Sequence, residues 1–386
     1  MSNRIVLNEV SYHGTGAINE IVTEVKRRGL NKAFLCSDPE LIKLNVTTKI
    51  TKILDNAGLD YEIYSNIKAN PTIENVQTGV KKYKESKADY IIAIGGGSSM
   101  DTAKAVGIIV NNPEFDDVKS LEGTAPTKNK SVPIIAVPTT AGTAAEVTIN
   151  YVITDVDNNR KFVCVDTNDI PVVAIVDPEM MSSMPKGLTA ATGMDALTHA
   201  VEALVTPGAY GVTKKLSIGA IELIKEYLPR AVKDGHDIEA REGMVNAIFL
   251  GGMSFNNAGL GYVHSMAHQL GAVYKLPHGV CCAMLLPVIE RENAKRVPAA
   301  FRDVAKALGL QTEGKSDEEC AAYAIKEIET LSETVGIPKK LTELGIEEKD
   351  FDFEYLSKNA LIDACAPGNP FMPTLEETIA FYKELF

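Results

Sequence analysis

Short apolar runs alternate with amphipathic stretches along the first 184 residues of the chain. The runs are rich in Val, Ile and Ala and lie at 32–36, 61–64, 89–94, 132–137 and 172–176. A helical pattern of apolar positions at 40–57 follows the first of them. Runs that are apolar throughout are typical of strands covered on both faces, and their alternation with helices predicts a parallel α/β sheet.

The pattern changes after residue 184. Long segments rich in Ala, Leu, Glu and Lys, such as 213–231 and 317–336, repeat their apolar positions with helical spacing, and strand patterns nearly disappear. The sequence therefore predicts two domains, an α/β domain over 1–184 and an all-helical domain over 185–386. Because no repeat or Pro/Ser-rich linker separates them, we expect tight packing and place the chemistry in the cleft between them.

Composition narrows the class of partner. The 39 Lys and Arg against 51 Asp and Glu give a net charge of −12, which argues against nucleic acid or an anionic membrane and favours a small-molecule substrate. No apolar run is long enough for a signal peptide or a membrane span, so we expect a cytoplasmic protein. The six cysteines include no CxxC pair, which predicts neither a disulfide framework nor a thiolate metal site.

A glycine-rich turn follows the predicted strand at 89–94 and precedes a predicted helix. Its residues are Gly95, Gly96, Gly97, Ser98, Ser99, Met100 and Asp101. Glycines let the backbone approach an anion closely, and the N–H groups at a helix N-terminus favour a phosphate. A tight strand-to-helix turn with Ser98 as its N-cap is the structural alternative.

A second turn and an acidic residue also indicate a nucleotide-binding site. The turn at 138–143 also follows a strand and precedes a predicted helix, and it brings Thr139 and Thr140 to the same sheet edge. Ligands of α/β sheets bind beyond the carboxyl ends of the strands, so the two turns together favour phosphate binding.

Asp38 follows the strand at 32–36, where a carboxylate accepts hydrogen bonds from a ribose and repels a 2′-phosphate. The same residue is also a good helix start.

Four of the six histidines fall in one stretch of the predicted helical domain. Asp195 and His199 are four residues apart, as are His264 and His268, which places each pair on one face of a helix. A single pair of this kind is often structural. Two pairs plus His278 among apolar neighbours are costly to bury without a partner, so we expect a metal ion. Ligand type alone does not select among Fe(II), Zn(II), Co(II) and Mn(II).

Taken together, four blocks of sequence resemble the iron-containing alcohol dehydrogenases. The blocks are Gly-Gly-Gly-Ser-Ser-Met-Asp-Thr-Ala-Lys at 95–104, Pro-Thr-Thr-Ala-Gly-Thr-Ala-Ala-Glu-Val at 138–147, Ala-Thr-Gly-Met-Asp-Ala-Leu-Thr-His-Ala-Val-Glu at 191–202, and His-Ser-Met-Ala-His-Gln-Leu-Gly at 264–271 with Pro277-His278-Gly279. The resemblance runs essentially end to end. It implies a dehydroquinate-synthase-like fold, with an N-terminal nucleotide-binding α/β domain and a C-terminal all-helical metal-binding domain, and a homodimer.

Within the family, the residues at 3–4, 7–9, 24–29, 111–115, 147–154 and 160–166 most resemble those of the members that interconvert lactaldehyde and propane-1,2-diol. It implies a metal-dependent, NAD(H)-linked oxidoreductase acting on short-chain aldehydes and primary alcohols or diols. Another short-chain alcohol, or 1,3-propanediol, is the alternative substrate.

The resemblance also implies the roles of individual residues. The metal ligands would be Asp195, His199, His264 and His278, with iron as the ion and His268 as the proton relay. The NAD(H) contacts would be Asp38, Asn70, Gly96, Gly97, Ser98, Ser99, Met100, Asp101, Thr139, Thr140, Val152 and Lys161. The alternative roles of Asn70, Val152 and Lys161 are a plain turn, a core residue and a surface charge. The substrate pocket would contain Asn150, Phe255 and Cys365.

Two positions depart from the family pattern. Gln269 stands where related lactaldehyde-reducing enzymes carry proline, and the segment Cys365–Phe371 differs from their usual ending. Both lie near the expected substrate end, so they bear on the preferred alcohol more than on metal or cofactor. A dehydroquinate-synthase-like cyclase is disfavoured because 191–280 offers few Lys or Arg for an anionic substrate. A non-enzymatic metal-binding scaffold is disfavoured because the cofactor turns are retained.

Overall fold

The structure, a computed structural model, describes residues 2–158 and 160–386. The chain divides into two units. One unit spans Val6–Ser183, and the other spans Met184–Phe386 together with the N-terminal residues up to Ile5. Within the described residues, no helix is both long and apolar enough to cross a membrane.

The described part of the unit Val6–Ser183 contains eight strands. They are β1 (Val10–His13), β2 (Lys32–Ser37), β3 (Asp60–Tyr64), β4 (Tyr90–Gly95), β5 (Ile134–Pro138), β6 (Asn150–Asp155), β7 (Arg160–Val165) and β8 (Val173–Val176). Six of them form one parallel sheet in the order β1-β8-β5-β4-β2-β3, while β6 and β7 form an antiparallel pair of their own. The predicted parallel α/β sheet is therefore confirmed.

Helices cover both faces of the parallel sheet. They are α1 (Glu20–Arg28), α2 (Pro39–Lys43), α3 (Val46–Ala57), α4 (Ile73–Ser86) and α5 (Gly97–Asn111). Along β2, Ala33 and Leu35 belong to an apolar core shared with α1 and α3, whereas Phe34 and Cys36 belong to a second core shared with α4 and α5. Successive side chains of a strand point to opposite faces, so two covered faces explain why the inner strands β4, β5 and β8 are apolar almost throughout.

Two local expectations for this unit were wrong, and one pair of strands was not predicted. The helical pattern at 40–57 is two helices, because Asn45 adopts a left-handed conformation (φ 58°) between α2 and α3. The turn at 138–143 leads into irregular structure that includes a left-handed Ala144 (φ 53°), and not into a helix. The pair β6 and β7 was not predicted. Its strands bury only alternate residues, so they lack the continuous apolar runs that marked the sheet.

The described part of the second unit is helical and contains no strand, as predicted. Its helices are α6 (Lys186–Val205), α7 (Gly211–Lys233), α8 (Ile238–Ala258), α9 (Tyr262–Tyr274), α10 (His278–Arg296), α11 (Pro298–Ala307), α12 (Asp317–Thr334), α13 (Phe353–Leu361) and α14 (Leu375–Lys383). The patterns at 213–231 and 317–336 correspond to α7 and α12.

Helix α6 lies in the interior of this unit, and glycines allow its neighbours to approach it. A Cβ on Gly193 of α6 would lie 2.2 Å from Leu228 Cδ1 of α7. A Cβ on Gly279 of α10 would lie 2.2 Å from the carbonyl oxygen of Ala191. The Leu228 side chain can move aside but the backbone oxygen of Ala191 cannot, so glycine at 279 is what lets α10 begin directly against α6. The buried Asp195 and His199 of α6 are thereby brought next to the first turn of α10.

Candidate metal and nucleotide sites

Three helices bring one carboxylate and three imidazoles together in the helical unit. Asp195 and His199 lie one turn apart on α6, His264 lies on α9, and His278 is the first residue of α10. Asp195, His199 and His264 are all at most 5% exposed. Asp195 Oδ1 lies 3.6 Å from His278 Nε2, 3.7 Å from His264 Nε2 and 4.0 Å from His199 Nδ1.

This arrangement fits a divalent metal ion. Asp195 Oδ1 is buried and has no hydrogen-bond partner among residues 2–158 and 160–386, which is costly for a carboxylate unless a cation compensates it. Two donors that bind one ion at about 2.0–2.3 Å with a tetrahedral angle are separated by about 3.3–3.7 Å. The separations of Asp195 Oδ1 from His264 and His278 lie in or at the edge of that range. The ring of His199 also faces His264, with their Nε2 atoms 3.0 Å apart.

A second carboxylate orients one of these imidazoles. Glu202 Oε2 accepts a hydrogen bond from His264 Nδ1 at 2.5 Å, and Glu202 Oε1 accepts one from the backbone N–H of Val263 at 2.8 Å. A neutral histidine that donates from Nδ1 presents the lone pair of Nε2, which in His264 is the atom directed at Asp195, so a bound metal ion takes the place of the Nε2 proton. Metal-binding histidines are commonly held in this way. The spacing Asp195, His199, Glu202 on one helix face could have revealed Glu202 from the sequence.

The buried charges alter the acid–base behaviour of the cluster. Desolvation by itself would lower the pKa of His264, but the carboxylates of Glu202 and Asp195 outweigh it and raise that pKa to about 10. Burial would raise the pKa of Asp195, but His199, His278 and His264 outweigh it and hold that pKa well below its usual range. The carboxylate of Asp195 therefore stays ionised, as a metal ligand must be.

His268 lies beside the cluster and has its own carboxylate partner. Its ring stacks on that of His278 with 5.5 Å between centroids. His268 Nδ1 donates to Asp363 Oδ2 at 2.9 Å, and Gln269 Nε2 donates to the same oxygen at 3.3 Å. Burial would raise the pKa of Asp363, but His268 and the backbone N–H of Cys365 outweigh it and lower that pKa. Asp363 lies 95 residues from His268 in the chain, and no sequence signal pointed to it.

The remaining candidates of the helical unit lie at the edges of the same region. The ring of Phe255 stacks on that of His199 with 4.4 Å between centroids. Cys365 is half-buried, and one donor atom each of His268, Asp363 and Cys365 lie within 4.8 Å of one another. The third substrate-pocket candidate, Asn150, begins β6 in the other unit.

In the α/β unit, the two predicted phosphate-binding turns lie side by side. The glycine turn joins β4 to α5, with Gly96 at the N-cap and Ser98, Ser99, Met100 and Asp101 in the first turns of the helix. A Cβ on Gly96 would lie 3.1 Å from Thr140 Oγ1, and one on Gly97 would lie 3.1 Å from Thr143 Cγ2. Both turns follow the carboxyl ends of neighbouring central strands, where nucleotides bind in folds of this kind.

The other predicted cofactor contacts have defined local roles. Asp38 caps α2, because its Oδ1 accepts hydrogen bonds from the backbone N–H groups of Glu40 and Leu41 at 3.0 Å. Asp38 therefore does act as a helix N-cap, and this role uses only Oδ1, so Oδ2 can still accept a hydrogen bond from a ligand. Asn70, in a left-handed turn (φ 62°), accepts a hydrogen bond from Lys161 Nζ at 2.8 Å. The backbone N–H of Val152 donates to Asp101 Oδ2 at 3.1 Å.

A buried lysine behind the glycine turn was missed by the sequence analysis. Lys104 on α5 is fully buried, and its Nζ donates to the carbonyl oxygens of Thr148 at 2.7 Å and Asn150 at 3.0 Å. Burial lowers the pKa of Lys104, while the carboxylates of Asp169, Asp101 and Glu146 oppose that change. The lysine therefore ties α5, which carries the glycine turn, to the start of β6.

Comparison with known proteins assigns nearly the whole chain to one family. A sequence profile of iron-containing alcohol dehydrogenase matches residues 8–178, and a profile of the C-terminal part of the Fe-containing alcohol dehydrogenase family matches residues 189–386. The chain belongs to the iron-containing alcohol dehydrogenase family and is an oxidoreductase. The expected family is confirmed.

Individual relatives share most of the chain. It is 50% identical over 382 residues to lactaldehyde reductase of Escherichia coli (strain K12), with 99% of each chain covered. It is 41% identical over 370 residues to the NAD-dependent methanol dehydrogenase of Bacillus methanolicus, with 96% of each chain covered. The solved alcohol dehydrogenase from Oenococcus oeni superposes with a TM-score of 0.96 at 41% identity and full coverage of both chains. The predicted fold class is confirmed by that superposition.

Proposed function

We propose that this enzyme interconverts short-chain aldehydes and primary alcohols with NAD(H) and a divalent metal ion, and that lactaldehyde and propane-1,2-diol are its preferred pair. The observation that supports the metal chemistry is the buried, unpartnered Asp195 Oδ1 with three imidazole nitrogens within 4.0 Å. The choice of substrate rests on the 50% identity to a lactaldehyde reductase over 99% of both chains.

The metal would be held by Asp195, His199, His264 and His278, with Fe(II) as the ion. When bound, such an ion supplies Lewis acidity, which stabilises negative charge on the substrate oxygen. Glu202 fixes the orientation of His264, and the burial of Asp195, His199 and His264 strengthens their interaction with a cation. The protein must also align the reacting carbon with the nicotinamide, which lowers the entropic part of the barrier.

His268 is the proposed proton carrier. Because its Nδ1 donates to Asp363, its Nε2 is the nitrogen that exchanges a proton with the substrate side. Asp363 also stabilises the imidazolium that forms when His268 takes up a proton during alcohol oxidation. In aldehyde reduction the same proton returns. Bound NAD(H) would supply the donor or acceptor of the hydride, and His268 would move the proton.

NAD(H) would bind at the two turns of the α/β unit. The N–H groups at the start of α5 would hold the pyrophosphate. The full set of proposed contacts is Asp38, Asn70, Gly96, Gly97, Ser98, Ser99, Met100, Asp101, Thr139, Thr140, Val152 and Lys161. Asp38 retains one carboxylate oxygen for the adenosine ribose while the other caps α2. Its negative charge would disfavour the 2′-phosphate of NADP.

A related reaction with another short-chain alcohol is the second candidate. Gln269 and Cys365, which depart from the family pattern, both contact Asp363, the partner of His268. Different side chains at that point alter the volume and polarity offered to the substrate. Asn150, Phe255 and Cys365 stay predicted substrate-pocket residues, and the homodimer and cytoplasmic location also stay predictions.

The test is anaerobic purification followed by metal analysis and an NADH-oxidation assay. Lactaldehyde, propanal, glycolaldehyde and butanal would be compared for wild type and His264→Ala. We expect activity in proportion to bound metal, the highest kcat/KM for lactaldehyde, and loss of both metal and activity in His264→Ala. Bound metal without oxidation of NADH by any of the four aldehydes would contradict the proposal, and a higher kcat/KM for another aldehyde would favour the second candidate.

A further inference from the structure

One side chain of the metal cluster lies outside the proposed ligand set. Cys282 follows His278 by one turn of α10 and is fully buried. Its Sγ lies 3.5 Å from His278 Nε2. One donor atom each of Asp195, His264, His278 and Cys282 lie within 4.8 Å of one another. The sulfur is therefore among the atoms that converge on the proposed metal position.

The distances suit a sulfur ligand. Zinc–sulfur bonds of about 2.3 Å and zinc–nitrogen bonds of about 2.0–2.1 Å at a tetrahedral angle separate sulfur and nitrogen by about 3.6 Å. The separation of Cys282 Sγ from His278 Nε2 is 3.5 Å. The same nitrogen lies 3.6 Å from the buried, unpartnered Asp195 Oδ1. Sulfur, nitrogen and oxygen are thus spaced as three donors around one ion.

A simple hydrogen bond between thiol and imidazole would not persist in the loaded enzyme. Nε2 of a neutral histidine has a single lone pair. That lone pair either accepts the Cys282 proton or binds the metal ion, and His278 is a proposed ligand. Once the metal occupies Nε2, the buried sulfur loses this hydrogen bond, and its other partner, Asp195, is itself a proposed ligand of the same ion.

We propose that Cys282 is a further ligand of the metal ion, beside Asp195, His199, His264 and His278. The inference rests on the metal site of the proposed function. As the sulfur–metal bond forms, the S–H bond breaks and its proton leaves to solvent, so the sulfur binds as a thiolate. A thiolate makes the donor set softer, which favours Zn(II) and Co(II) over Mn(II). It also reverses the expectation, drawn from cysteine spacing, that no cysteine takes part in metal binding.

The test is cobalt substitution of the whole enzyme, compared for wild type, Cys282→Ser, Cys281→Ser and His264→Ala. Cys281 is an equally buried neighbour outside the group of four, so Cys281→Ser is the matched control. We expect a sulfur-to-cobalt charge-transfer band in the near ultraviolet for wild type and Cys281→Ser, and its loss in Cys282→Ser while the visible cobalt bands remain. In chelator competition, Cys282→Ser should lower the ratio of Zn(II) to Mn(II) affinity by at least about tenfold.

The outcomes separate this inference from the proposed function. Cobalt bound to wild type without the near-ultraviolet band would overturn the role of Cys282 and leave the metal site intact. The band persisting in Cys282→Ser, or an unchanged zinc-to-manganese ratio in that variant, would overturn it as well. Wild type that binds no cobalt at all would contradict the proposed metal site itself, as would cobalt bound equally well by His264→Ala.

Discussion

Glu290, a fully buried carboxyl group on α10, makes the stability of the helical unit depend on pH. Its Oε2 accepts one hydrogen bond from Asn293 Nδ2 at 3.0 Å, and its Oε1 is buried with no hydrogen-bond partner in the described parts of the chain. Burial, aided by the nearby negative charge of Glu202, raises its pKa from 4.5 to about 8. The folded protein therefore keeps a proton on Glu290 at neutral pH, whereas the unfolded chain does not.

The sign and size of the effect follow from this difference. A raised pKa means that the contribution of Glu290 is fully present below pH 4.5 and is lost as the pH rises to about 8. Each unit of pKa difference is worth about 1.4 kcal/mol, so the loss is about 3 kcal/mol at pH 7 and approaches about 5 kcal/mol above pH 8. Glu290→Gln has nearly the shape of the protonated acid but cannot ionise. It should stabilise the protein by these amounts, increasingly with pH.

The assay is urea unfolding followed by circular dichroism at several pH values between 5 and 9, for wild type and Glu290→Gln. The difference between the two proteins at each pH removes the contributions of all other titrating groups. Glu222→Gln, at an exposed position on α7, is the matched control and should change the free energy of unfolding by less than about 0.5 kcal/mol. A Glu290→Gln difference that stays constant, or decreases, between pH 5 and 8 would refute the reasoning.

Three further predictions concern the two sites. Asp363→Asn should lower kcat about tenfold to a hundredfold with little change in KM for NADH, because an amide donor facing Nδ1 of His268 favours the wrong tautomer. Asp38→Asn keeps an oxygen to cap α2 but loses the charge, so the ratio of kcat/KM for NADPH to that for NADH should rise at least about fivefold. Gly279→Ala places a Cβ 2.2 Å from the Ala191 carbonyl oxygen. It should lower the free energy of unfolding by about 1–3 kcal/mol and weaken metal binding, measured by denaturation and chelator competition.

Each of the three predictions has an outcome that would contradict it, and two of them have a control variant. Asp116→Asn, at an exposed position, should leave kcat unchanged, and wild-type kcat in Asp363→Asn would argue that Asp363 does not position His268. An unchanged NADPH to NADH ratio in Asp38→Asn would remove Asp38 from the ribose site. Gly187→Ala, whose Cβ would meet no atom within 4 Å, should not destabilise the protein. Equal stability of the two glycine variants would contradict the close approach of α10 to α6.

The sequence predicted those elements whose apolar residues form a clear local pattern. The continuous apolar runs marked the parallel strands because both faces of that sheet are covered. The pair β6 and β7 buries only every second residue, so its signal was too weak to separate from a loop. The break at Asn45 was hidden because the apolar spacing of α2 and α3 continues across it.

For the candidate site as well, local spacing predicted some residues, while others depend on tertiary contacts. Asp195 and His199 share one helix face, and helical spacing alone suggested a common ligand. Cys282 follows His278 at the same spacing, but its role depends on where α10 meets α6, which no local pattern contains. Asp363 and His268 meet across 95 residues of chain. Such a contact is a property of tertiary packing, and a single sequence holds no sign of it.

The attachment of β6 to α5 limits how this enzyme can be engineered by exchanging segments. Lys104 holds the carbonyl oxygens of Thr148 and Asn150, and Asp101 holds the N–H of Val152. Lys104 and Asp101 both lie on α5, the helix that follows the glycine turn. If β6 and β7 were replaced with those of a relative, the position of the new strands would still depend on hydrogen bonds from α5, which lies outside the exchanged segment. To keep the geometry, a chimera must take both segments from the same parent.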